Sequence, residues 1–387
     1  MPQPSRRSAI APFIVMQVLA DANRRAAAGE SILHLEVGEP AGGAPPSALA
    51  AARLALEGNA LGYTEALGLP ALRARIAQRY DEWYGLPLGP DRIAVTTGAS
   101  GAFILAFLAA FDAGARVAVA SPGYPAYRNI LGALDIEVVD LPTDASTRFQ
   151  PTPARLDALP GRIDGLVVAS PANPTGTMLS AAELAALGQW CARRDAWLVS
   201  DEIYHGLTFE HPAASALATV PDAIVVNSFS KYFCMTGWRL GWLVTPPALL
   251  DTVTRLAQNL FIAPPAIAQH AALGAFADDA LLAERVHAYG RNRDRLLHAL
   301  LDAGIREVAP PDGAFYLYAD IAPTGLRAEA LCARALAETG VAITPGTDFD
   351  PVRGDGWIRL SFAGPEQEVA QAAERLGPWL KTLVAVG

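Results

Sequence analysis

The strongest constraint on this chain is a rhythm of short apolar runs separated by helical stretches between residues 92 and 245. Residues 93–97, 116–120, 136–141, 165–170, 197–201, 223–227 and 240–244 are rich in Val, Ile, Leu and Ala and read as strands. The helix expected at 180–194 has Ser180 as its N-cap, with Glu183 completing a capping box. This alternation predicts an α/β fold: a mostly parallel central sheet sandwiched by helices. In such sheets the ligand site lies beyond the carboxyl ends of the strands.

A chain of 387 residues exceeds the size at which one core usually stops growing, so a second unit is expected. After Pro246 the pattern turns helical, at 247–260, 266–276 and a long charged stretch at 281–303. Strands at 314–321, 341–345 and 356–362 then interleave with helices at 326–339 and 367–383. The expected division is a large domain over 41–284 and a smaller α/β domain over 285–387, which the N-terminal segment 1–40 joins.

Charge and composition exclude several function classes. An apolar content of 52% against 18% charged residues marks a well-buried globular protein. The net charge of −9 disfavours a nucleic-acid partner, and any bound anion must be captured by local groups, not by a general positive field. Cys191, Cys234 and Cys332 are too far apart to form a metal or redox pair, which fits a reducing compartment. Glu202 and His205 have a possible ligand spacing, but no second pair matches it, so no metal is expected. Ser5-Arg-Arg-Ser8 and the apolar run after it imitate a secretory signal, but Pro12 and Gln17 interrupt that run. Phe13, Met16 and Leu19 suit an amphipathic helix packed on the body, and the expected location is cytoplasmic, with no membrane span.

The chemistry concentrates at strand ends. Tyr124, Asn173, Asp201 with Tyr204, and Lys231 each follow a different strand. Asn173-Pro-Thr-Gly176 is also good turn chemistry, and Asp201 could simply cap a helix. The segment 228–241, Ser-Phe-Ser-Lys-Tyr-Phe-Cys-Met-Thr-Gly-Trp-Arg-Leu-Gly, leaves the strand at 223–227. In it Lys231, an amine able to form a Schiff base, stands among Ser228, Ser230 and Arg239, an inventory for gripping a phosphate. A lysine beside a phosphate clamp points to pyridoxal phosphate. The small residues Gly98–Gly101 read as a turn at the N-terminus of a helix over 102–111, a ready anion site without a nucleotide fingerprint. Gly38 permits close approach of a ligand to the backbone or is a plain turn glycine. Tyr63 sits in a loop where it could reach another subunit, and Tyr124, Tyr232 and Phe349 are open to either substrate contact or core packing.

These residues resemble the class I/II aminotransferases, pyridoxal-phosphate enzymes of fold type I related to aspartate aminotransferase. The likeness runs from Gly38-Glu-Pro to Arg359-Leu-Ser-Phe and is sharpest in the segment around Lys231. It implies an amino-acid donor, a 2-oxo acid acceptor and a ping-pong transfer through a Schiff base on Lys231, which also shuttles the proton. It further implies Asp201 at the pyridinium nitrogen, Tyr204 and Asn173 at the ring hydroxyl oxygen, and Tyr124 stacked on the ring. Ala99 and Ser100 amides, Ser228, Ser230 and Arg239 would hold the phosphate, with Tyr63 of a homodimer partner. Arg359 would pair with the substrate α-carboxylate, with Gly38 and Asn173 lining that site. The same cofactor doing β-elimination or C–S cleavage, or a non-catalytic ligand-binding protein on this fold, are the competing readings.

Overall fold

The chain enters through α1 (Ile14–Ala27), a helix that supplies no N-terminal cap of its own: Phe13 precedes it and its first turn holds no acidic residue. A computed structural model, which describes residues 2–59 and 61–385, shows what replaces the cap. The buried carboxylate of Asp348 accepts from the Ile14 and Val15 amides at 3.0 and 3.3 Å. A partner 334 positions away thus satisfies two of the helix's orphan donors. After α1 come β1 (Leu33–His34), α2 (Pro46–Glu57) and α3 (Pro70–Tyr84), the last two with proline in the first turn.

Seven strands then build the main sheet: β2 (Ile93–Thr96), β3 (Arg116–Ser121), β4 (Glu137–Pro142), β5 (Gly165–Ala169), β6 (Trp197–Asp201), β7 (Ile224–Ser228) and β8 (Gly241–Val244). Their order is β2-β8-β7-β6-β5-β3-β4, with every pair parallel except the two that β8 makes. Both faces are covered. Val225, Leu166, Leu198 and Trp242 enter one core, while their neighbours Val226, Val167, Val199 and Leu243 enter another on the opposite face. Two buried faces explain why the strands read as continuous apolar runs. Helices α4 (Gly98–Ala110) and α5 (Pro125–Ala133) follow β2 and β3.

A further core is built around β9 (Tyr316–Asp320) and β12 (Trp357–Ser361), which with β11 (Thr344–Pro345) form an antiparallel sheet. The long helix Asp279–Asp302 and the terminal helix Glu366–Val384 pack over it. Strand β10 (Val341–Ala342) pairs in parallel with β1, so the N-terminal segment is stitched into this second unit.

Two expectations change. Gly98–Gly101 is not a turn before a helix but the first turn of α4 itself, since Gly98 takes φ +72° and turns the chain directly from β2. The single strand expected at 341–345 divides at Ile343 into β10 and β11, which serve different sheets. Strand β1 is only two residues long, although Leu35 still donates to Ala342 and accepts from Ser361 through its backbone. Replacing Asp348 by Ala should leave the Ile14 and Val15 amides without partners and cost about 1 kcal/mol, the usual penalty for a lost cap. Denaturant unfolding checks the size, and faster hydrogen exchange confined to the start of α1 checks the cause.

Candidate active site

The strand ends converge. Tyr124 after β3, Asn173 after β5, Asp201 and Tyr204 at the end of β6, and Lys231 after β7 all line one cavity of about 600 Å³. The N-terminus of α4 closes one side through Ala99 and Ser100, and the second unit supplies Tyr316 from β9 and Arg359 from β12.

Lys231 is half-buried, and its Nζ donates to the Gly38 carbonyl at 2.7 Å. Burial, then the neighbouring Arg359, lowers its amine to about 8; Arg239 acts in the same direction against the opposing charges of Glu39 and Asp201. A useful fraction is therefore neutral near pH 8, where an ordinary lysine is almost wholly protonated. Asp201 moves the other way. Burial raises it to about 6, opposed by a hydrogen bond from the Tyr127 phenol to Oδ2, by the Ile203 amide at 3.0 Å and by the charge of Lys231. Above that value it remains a carboxylate.

An anion cradle lies at the head of α4. Arg239 is exposed and sits in the left-handed region at φ +50°, with Nη1 donating to the Thr236 carbonyl at 2.9 Å. Among the described residues it pairs with no carboxylate. A Cβ built on Gly98 would come within 2.6 Å of its Nη2, so only glycine there lets the guanidinium lie against the first turn of the helix. Ser230 faces the cavity. Ser228 stands behind it, with its hydroxyl 2.9 Å from both the Ser230 hydroxyl and the Leu240 carbonyl, and does not line the cavity.

Arg359 is the electrostatic anomaly. Only 3% exposed, it gives Nη1 to Asn173 Oδ1 at 2.9 Å and Nη2 to the Glu36 carbonyl, while Nε has no partner. The rings of Tyr316 and Phe349 lie 4.4 and 4.6 Å from its centre. Among the described residues no carboxylate neutralises it.

The family model for aminotransferase class I and II matches residues 30–376. The chain belongs to this family. It is 49% identical over 379 residues to the valine–pyruvate aminotransferase of Mycobacterium tuberculosis, covering 97% of each chain. It is 36% identical over 384 residues to the aspartate/prephenate aminotransferase of Thermus thermophilus, covering 96% of this chain and 97% of the other. A crystal structure of an aminotransferase from M. tuberculosis superposes with a TM-score of 0.96 at 47% identity, over 99% of this chain and all of that one. The aspartate aminotransferase of T. thermophilus with maleate gives 0.91 at 34% identity, over 98% and 100% of the two chains.

Aminotransferases of this class use pyridoxal 5'-phosphate, and the residues present fit it. An unpaired Arg239 set against free helical amides suits a phosphate, and a desolvated amine opposite a buried carboxylate suits an aldehyde on a basic ring. The chain holds only two lysines, Lys231 and Lys381, and Lys381 lies on the terminal helix.

One of the aromatic residues that the sequence offered for this site lies elsewhere in the aminotransferase: Tyr232 packs edge-on to Trp83 and Phe233. Tyr63, offered for a partner's site, is 88% exposed and outside the cavity of its own chain. His205 is a core residue, neutral because burial lowers it to about 3; Nε2–H donates to the Ser170 carbonyl and Nδ1 accepts from Tyr84. Tyr127, Tyr316, Val15 and Met16 also line the cavity, although no motif marks them as site residues. A signal for Tyr127 does exist, since it stands one helical turn beyond Tyr124; Tyr316 looks like any other aromatic of a buried strand. Gly38 proves sterically obligatory, because an added Cβ would fall 1.8 Å from the Tyr316 hydroxyl. Gly38→Ala should therefore push that phenol aside and cut kcat/KM by about 100-fold, the scale of an ångström-level misplacement, in a steady-state assay of folded protein.

Proposed function

We propose that this aminotransferase takes donors with neutral apolar side chains and works as a homodimer, with Lys231, Asp201 and Arg359 carrying the chemistry. The observation that carries the reading is Arg359, a buried guanidinium in the cavity wall whose partners are a carbonyl and an amide oxygen. An α-carboxylate bound through both arms of the fork supplies the missing negative charge.

Bound pyridoxal phosphate supplies an electrophilic aldehyde and an electron-accepting ring. Ala99 and Ser100 amides, Ser230 and Arg239 would hold its phosphate, with Ser228 fixing Ser230 from behind. Tyr124 would cover the ring, and Tyr204 and Asn173 would face its oxygen. Asp201, kept ionised by Tyr127 and the Ile203 amide, would hold a proton on the ring nitrogen. Lys231 would hold the cofactor's aldehyde, and its amine, made less basic by burial and Arg359, would move the proton at the donor's α-carbon.

Val15, Met16, Val37 and Ile203 supply the apolar lining, and the cavity's cations are Lys231, Arg239 and Arg359. Each has its task, which leaves none for a second carboxylate. The valine–pyruvate relative supports the same reading. Burying an unpaired carboxylate costs several kcal/mol, so valine or leucine should exceed aspartate and glutamate by at least about tenfold in kcat/KM with pyruvate as acceptor. Arg359→Gln should raise KM for every donor about thirtyfold or more, the loss expected on truncating one partner of a buried charge pair. A preference for aspartate would mean that a cation reaches the cavity from elsewhere and would overturn the apolar reading.

The dimer reading rests on Tyr63 and on exposed apolar side chains nearby in the fold. Leu54 and Leu56 on α2 face solvent, as do Leu260 and Ile262 just before helix Ala266–Ala275, against which α2 packs. Tyr63 then reaches the partner's phosphate cradle. Mixing Tyr63→Ala with Lys231→Ala protein should regenerate one intact site per heterodimer and restore activity that neither variant has at full level alone. No recovery after subunit exchange would place Tyr63 outside the site. The same reading takes 41–284 as the large domain and 285–387 with 1–40 as the small one. It places the protein in the cytoplasm, where its three buried, unpaired cysteines stay reduced. No helix among the described residues is long and apolar enough to cross a membrane.

A further inference from the structure

Tyr316 touches three groups that the chemistry needs. Its phenol shares a hydrogen bond with the Tyr204 phenol at 2.8 Å, and its ring lies under the Arg359 guanidinium. Its hydroxyl also fills the space above Gly38, the residue whose carbonyl receives the Lys231 amine. The residue is buried on β9, paired with Ser361 of β12.

A phenol has one proton to give. If Tyr204 gave its proton to Tyr316, it could offer the cofactor's ring oxygen only a lone pair, which an oxygen bearing negative charge repels. If Tyr316 donates instead, the proton of Tyr204 is free for the ring oxygen. The position of Arg359 selects between the two arrangements. A cation over the Tyr316 ring stabilises electron density on that phenol and makes it the better donor. Burial raises both phenols, so each stays protonated and has a proton to place.

We infer that Tyr316 is a positioning residue whose phenol donates to Tyr204 and so commits the Tyr204 proton to the ring oxygen of the cofactor. The inference rests on the reading of Tyr204 given above. A donor on that oxygen stabilises the deprotonated, more negative form of the bound cofactor, so loss of the donor raises the pH at which the holoenzyme's visible absorbance band changes.

The test is a pH titration of that band in substrate-free holoenzyme. Tyr204→Phe should raise the midpoint by about one to two pH units, a 10- to 100-fold gain in proton affinity and the scale of a lost hydrogen bond to a charged group. Tyr316→Phe should raise it by less, but by at least about 0.3 unit, a twofold gain. The double variant should match Tyr204→Phe alone, because Tyr316 acts through Tyr204. Tyr316→Phe keeps the ring under Arg359 and should leave donor KM within about twofold, whereas Tyr316→Leu removes the ring and should raise it several-fold. An unmoved midpoint in Tyr316→Phe, or full additivity in the double variant, overturns the inference. Borohydride reduction separates the two levels. If the band is absent, if reduction fixes the cofactor to Lys381, or if Tyr204→Phe leaves the midpoint unmoved, the underlying reading fails and takes the inference with it. If the band sits on Lys231 and only Tyr204→Phe moves the midpoint, Tyr316 alone is excluded.

Discussion

A single buried guanidinium sets the terms for the rest of this structure. Taking Arg359 out of water costs several kcal/mol, and its protein partners repay that only in part, through oxygens that carry no formal charge. Those oxygens come from distant parts of the chain: Asn173 beyond β5, and Glu36 in the segment stitched to β10. The pocket for Arg359 therefore exists only when the main sheet, the second sheet and the N-terminal segment are assembled together. The turn Gly346–Asp348 and Phe349 after it bind the same assembly from the other side. Asp348 caps the start of α1, Arg128 of α5 donates to the Asp348 and Phe349 carbonyls, and the Phe349 ring lies against Arg359.

Burial also explains the behaviour of two groups that line the cavity. Burial pushes Lys231 down and Asp201 up, each toward its neutral form. The neighbours then separate their fates. Arg359 and Arg239 add to the effect on the lysine, whereas Tyr127 and the Ile203 amide oppose the effect on the aspartate. A protein with a net charge of −9 thus keeps a locally cationic pocket for anionic ligands, built from a few groups placed on rigid strand ends.

What was legible in the sequence follows from where each signal resides. Strands β3, β5, β6 and β7 are buried on both faces, so their apolar runs and the polar residue after each could be read directly. The Ser180–Glu183 capping box is a local device and appears as expected. Helix α2 escaped notice because its alanine-rich turns carry little amphipathic pattern, and its limits are marked only by Pro45-Pro46 and Gly58. Asp348 and Tyr316 escaped for another reason. Their importance comes from partners 333 and 112 positions away, a relation no local pattern encodes.

Ser228 shows how the motif and the geometry divide the labour. The motif places two serines and an arginine near Lys231 as if all were equal ligands. In the fold, the turn that leaves β7 brings Ser230 and Lys231 to the cavity, while Ser228, the last residue of the strand, keeps its hydroxyl on the Leu240 carbonyl. The Ser230 amide also donates to Ser228 Oγ at 3.0 Å, so the first serine braces the second through both backbone and side chain. A phosphate cradle needs donors fixed before the anion arrives, since any freedom they keep must be lost on binding. A serine outside the cavity can therefore matter to the capture of an anion as much as one that lines it.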